Sequence, residues 1–268
     1  MLRGMLRTFE DIIYSEKFPA FNGVLQKIDP RVKFCCFIAF ILTAVVARTV
    51  TSLIILFILV IILSVASKIS PKFFFLRTTI FIPIFAAAIA SPLLFITPGR
   101  PLAIIGYDKY FLSITWEGVY KAACFTLRVW VCVASLTLLV LTTRFSGLVH
   151  ALEKFKMPKV LVVMTAITYR FVFLFINEAY RMVLAKEART VKKEGKLHTM
   201  KSLAHIISTL FIRAYERGER VYMAMMARGY KGEIKSIGEM KCSYKDWAFG
   251  FSSVLTCFVI LLVEFLFR

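Results

Sequence analysis

Long apolar runs broken by short charged stretches set the pattern of this chain. Val32–Ala47 and Val50–Ser67 are separated only by Arg48-Thr49. Each is near the lower limit for crossing a bilayer, so together they predict a tight helical hairpin. Its return is marked by Lys68, Lys72 and Arg77. Thr78–Thr97 predicts a third span, with Pro83 and Pro92 as kinks whose freed backbone groups neighbouring helices would satisfy. Residues 98–118 mix turn residues with aromatics and little charge, which suits a loop on the outer face with Tyr and Trp at the interface. Val119–Thr142 is a fourth run. Arg128 lies inside it, where a charge costs about 2.5–3.5 kcal/mol on insertion scales, so it is expected to face protein or water, most simply in a structural pair. Trp247–Phe267 is the last run, with Asp246 at one end and Glu264 near the other.

Between the fourth and last runs the pattern changes to two long helices that each finish in an Ala-Arg pair. The first covers Val160–Thr190 and reaches Ala188-Arg189-Thr190; the second covers Lys201–Arg228 and reaches Ala227-Arg228-Gly229. Neither contains proline, and both are rich in good helix formers. At helical rise they would be about 46 Å and about 42 Å long. Leu203, Ile206, Ile207, Leu210, Phe211 and Ala214 form one apolar stripe of the second. Arg213, Glu216, Arg217 and Arg220 fall largely on its other side, with Glu216 four residues before Arg220 in the favourable order. Gly229 stands where a left-handed C-terminal cap is expected. An arginine in a last turn complements the helix dipole. The same Ala-Arg ending on two long helices is also how a docking tip would be built: alanine permits close approach and the guanidinium offers a rigid fork to a carboxylate.

Composition places the chain in a membrane. Of its 268 residues 59% are hydrophobic, and the mean hydropathy is +0.75, more apolar surface than a soluble domain needs. The formal net charge of +19 could suggest nucleic acid, but the basic residues cluster in particular loops, as the positive-inside rule predicts. From Arg144 to Lys245 there are 20 lysines and arginines against 8 glutamates and no aspartate, so this segment is expected to be cytoplasmic. Val160–Ile176 is apolar enough to span, yet both its flanks are basic. It is therefore expected along the inner membrane face or against other helices, with Arg170 interrupting it. Residues 1–31 predict a cytoplasmic amino-terminal segment with a short interfacial helix around Met5–Tyr14 and no cleavable signal.

Catalytic constellations are not visible. The chain has no phosphate loop of the GxxxxGK[ST] type, no GxSxG, no HExxH and no zinc-type Cys-His spacing. Five of the six cysteines lie in apolar runs and none is spaced CxxC, which suits small buried hydrophobes. His198 and His205 are seven apart, but His198 is expected to precede the helix; solvated histidines and packing methionines (Met223, Met225, Met226) are the simpler readings. No cofactor or metal site is expected.

The motifs carry a resemblance. Ile28-Asp29-Pro30-Arg31-Val32-Lys33, Phe155-Lys156-Met157-Pro158, Tyr169-Arg170-Phe171 with Asn177-Glu178-Ala179, and above all Arg213-Ala214-Tyr215-Glu216-Arg217 through Ala224-Met225-Met226-Ala227-Arg228-Gly229-Tyr230 resemble the transmembrane T component of energy-coupling factor transporters, in its cobalt/nickel-type (CbiQ-like) branch. The resemblance implies a non-enzymatic coupling subunit of an ABC importer for cobalt or nickel ion. Its partners would be two ATP-binding cassette ATPase subunits, which hydrolyse ATP, and a separate membrane substrate-binding subunit, all in the cell membrane. By position, Ala188, Arg189, Thr190, Ala227, Arg228 and Gly229 would dock the ATPases, with Glu178, Arg217 and Arg220 supporting the coupling helices. The first tip departs from the family's Ala-Arg-Gly or Ala-Arg-Ser by carrying threonine.

The expected fold is therefore an all-α polytopic membrane protein with about five transmembrane helices plus two long cytoplasmic coupling helices. Residues 1–31 form the amino-terminal segment, 32–142 hold transmembrane helices one to four, 143–245 the coupling-helix region and 246–268 the last span. The amino terminus would be inside and the carboxyl terminus outside. A rival reading is a self-contained secondary transporter with no ATPase partner, for which Arg128 and the prolines of the third span are the only candidate machinery.

Overall fold

The computed structural model describes residues 23, 25–79, 82–105, 112–155, 157–190, 195–232 and 243–266; the helix expected around Met5–Tyr14 lies outside them. The described residues fall into two compact units, a bundle from residues 25–148 with 243–266, and a long-helix unit within residues 149–232.

The bundle opens with α1 (Pro30–Val46), started by Asp29, whose carboxylate accepts the Arg31 N–H, and by Pro30 in the first turn. After the two-residue corner Arg48-Thr49 comes α2 (Val50–Ala66), with Thr49 accepting the Ser52 N–H. The predicted hairpin is present. The third apolar run is helical over its described residues, in α3 (Pro71–Thr79), α4 (Ile82–Ala90) and the single turn α5 (Leu93–Ile96). Pro83 lies within α4, and the helix is interrupted at Pro92, which immediately precedes α5 and costs no N–H there.

Residues 98–118 hold more order than a loop. β1 (Pro101–Ile105) and β2 (Leu112–Thr115) pair antiparallel, with Ile105 opposite Leu112. The hairpin leads into α6 (Trp116–Thr142), which starts three residues before the expected Val119. Thr115 joins the two: its hydroxyl accepts the Gly118 N–H and donates to the Thr97 carbonyl. A Cβ on Gly118 would lie 2.9 Å from the Leu93 carbonyl oxygen, so only glycine allows that approach. The bundle closes with α10 (Tyr244–Leu266); α7 to α9 precede it in the chain and are given below.

Phe37, Phe40 and Ala44 of α1, Leu53, Leu56 and Val60 of α2, Val131, Ala134 and Leu138 of α6, and Cys257 and Ile260 of α10 make the core. The outer faces are apolar too: Leu42, Val46, Ile55, Ile62 and Val65 are more than half exposed. Helices apolar all round are what lipid solvates. By length and composition α6, α8 and α10 can each cross a membrane. The chain is an all-α membrane protein carrying one small β-hairpin.

Four charged groups inside the bundle collect at its two ends. At the α1 N-terminus, Lys33, only 1% exposed, donates to the Thr142 carbonyl at the end of α6 (3.1 Å). Asp246, in the first turn of α10, accepts the Asp29 N–H on one oxygen (3.1 Å) and the Ser243 N–H on the other (2.7 Å). At the opposite end the corner between α1 and α2 is held through its backbone. Arg128 donates to the Ala47 carbonyl (2.7 Å), Glu264 of α10 accepts the Arg48 N–H, the Cys124 thiol reaches the Arg48 carbonyl (3.5 Å) and the Tyr120 hydroxyl accepts the Val50 N–H (3.2 Å). Arg128 thus faces protein, and its buried partner is a helix-terminal carbonyl, one of those a helix leaves unsatisfied.

Candidate functional site: two crossed helices and their tips

After α7 (Phe145–Lys154), in which the chain passes from the bundle to the long-helix unit, come α8 (Lys159–Arg189) and α9 (Lys196–Ala227). At 1.5 Å per residue α8 is about 46 Å and α9 about 48 Å long. α9 begins five residues earlier than the expected Lys201 and takes in His198, which does not precede the helix. Among the described residues no group of three metal-ligating side chains gathers.

The two helices cross at a single carboxylate. Arg213 and Arg217 of α9 both reach Glu178 of α8, at 2.9 Å and 3.5 Å. Four residues apart, the two arginines share one helix face. Of the residues expected to support the helices, Glu178 and Arg217 are brought together here. Arg220 is not; it pairs within its own helix with Glu216 at 3.7 Å, both exposed. Arg213, left out of that set, completes the crossing, and its spacing from Arg217 was the signal that could have found it.

From this crossing each helix runs equally far to its tip. Arg189 stands eleven residues beyond Glu178, and Arg228 eleven beyond Arg217, about 16 Å in each case. Eleven residues at about 100° each is three turns and roughly 20° more, so each tip arginine projects from nearly the same side of its helix as the crossing residue. Ala188, Arg189, Ala227 and Arg228 are all exposed.

The tips end by different chemistry. At the second, Gly229 adopts φ +79°. The Gly229 N–H bonds the Met226 carbonyl and the Tyr230 N–H the Met225 carbonyl, both at 3.0 Å: a Schellman closure. At the first, Thr190 is extended, its N–H bonds the Glu187 carbonyl (3.2 Å) and its hydroxyl turns back to the Lys186 carbonyl (2.8 Å). Threonine ends this helix with a side-chain donor where glycine would end it by backbone reversal.

An apolar cleft of about 400 Å³ lies between α8 and α9, lined by Met164, Ile167 and Phe171 on one side and by Val221, Met225 and Tyr230 on the other. The predicted apolar stripe of α9 is left open, with Ile207 66% and Phe211 71% exposed.

The long-helix unit thus presents two helices bridged through Glu178, each ending in an exposed Ala-Arg pair. The CbiQ family, described as cobalt transport protein, matches residues 21–240. The chain belongs to the CbiQ family. It is a membrane component of the energy-coupling factor transporter type. Relatives include an uncharacterised protein of Methanocaldococcus jannaschii, 35% identical over 96% of this chain and 89% of the relative. The energy-coupling factor transporter transmembrane protein EcfT of Listeria innocua is 30% identical over 94% and 96%. The cobalt transport protein CbiQ of Rhodobacter capsulatus is 29% identical over 61% and 66%.

Proposed function

We propose that this CbiQ-family chain is the non-catalytic coupling subunit of an importer for cobalt or nickel ion. Its tips Ala188-Arg189-Thr190 and Ala227-Arg228-Gly229 dock two ATP-binding cassette subunits, and its long helices pass their motion to a separate substrate-binding membrane subunit. The observation that carries this reading is the pair of equal arms: two exposed Ala-Arg tips, each eleven residues beyond a crossing fixed by Glu178, Arg213 and Arg217. ATP hydrolysis belongs to the partners. Arg128, on which a self-contained transporter would have to rest, is engaged with the Ala47 carbonyl.

The reading needs residues 143–245 on the cytoplasmic side, and the bundle supports it by parity. Lys33 ties the start of α1 to the end of α6, and Asp246 ties the start of α10 to the residue before α1. The chain therefore leaves α6 and begins α10 at one end of the bundle, and the segment between crosses the membrane an even number of times. Of its two long helices only α8 has the length and apolarity to cross. Neither crosses, and the basic segment stays with the cytoplasmic amino terminus, as its charge requires.

The test is co-purification with the ATPase subunits, comparing the parent with Arg189→Glu, Arg228→Glu and the double change. Reversing a charge that pairs with a desolvated carboxylate removes at least about 3 kcal/mol of binding. The double variant is expected in the membrane, folded and without the ATPases. Full retention of the ATPases by the double variant overturns the docking role.

A further inference from the structure

We infer that α10 is a brace whose two carboxylates, Asp246 and Glu264, are positioning residues that hold α1 by both its ends. The contacts form a matched pair. Asp246 accepts the N–H of Asp29, the residue just before α1, and Glu264 accepts the N–H of Arg48, the second residue after it. The carboxylates are eighteen residues apart and the two N–H groups nineteen. Eighteen residues are five full helical turns, so both carboxylates leave the same side of α10. Over that distance α10 rises about 27 Å, close to the roughly 30 Å hydrocarbon thickness of a bilayer.

Three features make these contacts a brace. First, the helices run parallel, N-terminus beside N-terminus, so each carboxylate meets its own end of α1. Second, α6 enters both contacts by opposite chemistry: at one end a cation of α1, Lys33, donates to the α6 carbonyl of Thr142; at the other a cation of α6, Arg128, donates to the carbonyl of Ala47 next to α1. Third, the stretch between the ends is closed by a polar contact in register, Ser253 of α10, seven residues beyond Asp246, donating to the thiol of Cys36, seven beyond Asp29, at 2.8 Å, with Cys36 buried. Between the ends α1 and α10 meet through apolar packing, this contact and that of Cys257 with Thr43, and lipid-facing apolar side chains give no comparable register. Hydrogen bonds from backbone N–H groups to carboxylates are among the stronger ones available. α1, α6 and α10 therefore behave as one rigid body.

The Cys36 thiol, between the two ends, reports on the brace. The probe is N-ethylmaleimide applied to the purified full-length chain in detergent, with the other five cysteines replaced by alanine. Cys36 in that parent is expected to label slowly. Asp246→Ala removes the acceptor of the Asp29 N–H, Glu264→Ala that of the Arg48 N–H, and each is expected to raise the labelling rate about tenfold or more. Asp246→Asn and Glu264→Gln keep an acceptor oxygen and are expected to stay within about threefold of the parent. Rapid labelling of the parent, alanine variants that label at the parent rate, or amide variants that label like the alanines would each overturn the brace. Should an alanine variant fail to fold, the amide variant decides: parent-like labelling upholds the inference and loss of fold overturns it. No ATPase or substrate enters the measurement, so it stands apart from the docking test.

Discussion

In the bundle, four charged side chains point inward and are used up: Lys33 on a carbonyl, Asp246 on two N–H groups, Arg128 and Glu264 on the corner between α1 and α2. In the long-helix unit the charges point outward. Within α8 only Val183 is buried, the two helices share the Glu178 bridge, and Ile207, Phe211, Tyr222 and Met223 are all more than half exposed. Lipid can cover the apolar outside of the bundle, so burial of polar atoms is what fixes its helices relative to one another. The second unit exposes charged side chains and apolar ones such as Phe211 and Met223 on the same helix, and exposed apolar surface of that kind marks a contact face.

Substitutions can break that contrast in order of size. Lys33→Met has the largest expected effect on the isolated chain. It leaves the Thr142 carbonyl without its donor and the buried Asp29 and Asp246 without the cation beside them, and about 3–5 kcal/mol is lost, read as a lowered midpoint of thermal unfolding in detergent. Arg128→Met follows. It leaves the Ala47 carbonyl without its donor and is expected to cost about 1–3 kcal/mol by the same measurement. An unchanged midpoint in either variant would mean that apolar packing alone holds the bundle. In the second unit the effects shrink. Gly229→Ala meets no neighbour within 4 Å but must hold φ +79°, and about 1 kcal/mol of helix-end stability is expected to go, seen as faster amide hydrogen exchange at Gly229 and Tyr230. Glu178→Gln, with one partner arginine half exposed, should change unfolding by no more than about 1 kcal/mol. Should it match Lys33→Met, the two regions would not differ in the way described.

Much of this was legible in the sequence, for reasons that differ by element. The α1–α2 hairpin could be read because two apolar runs flank only Arg48-Thr49, and helix needs no distant partner. Gly229 could be read because a left-handed cap favours one residue type. The interruption of the third run could be read from Pro92, but a proline inside an apolar stretch does not say whether the chain kinks there or starts a fresh turn, and only the path of the chain separates them. The strands at residues 101–115 escape a reading of the sequence because their pairing is local but carries no short turn signal. Asp246 and Glu264 are visible as two charges flanking a span. Their spacing of five whole turns is equally visible, but it means something only once a parallel neighbour of matching length lies alongside. The Glu178 bridge is half legible: the motifs point to the acid and to Arg217, while helical spacing alone puts Arg213 on the polar side of its helix without naming what it meets there.

The equal arms bear on what kinds of change the long helices can absorb. Substitution along either arm leaves the tip where it is. Inserting or deleting one residue between Glu178 and Arg189, or between Arg217 and Arg228, swings that tip through about 100° while moving it only about 1.5 Å. Direction is thus far more fragile than reach. Seven inserted residues would restore direction to within about 20° and lengthen the arm by about 10 Å. A pair of such insertions, one residue in one variant and seven in another, would separate what a partner reads at the tip: where the arginine points, or how far away it stands.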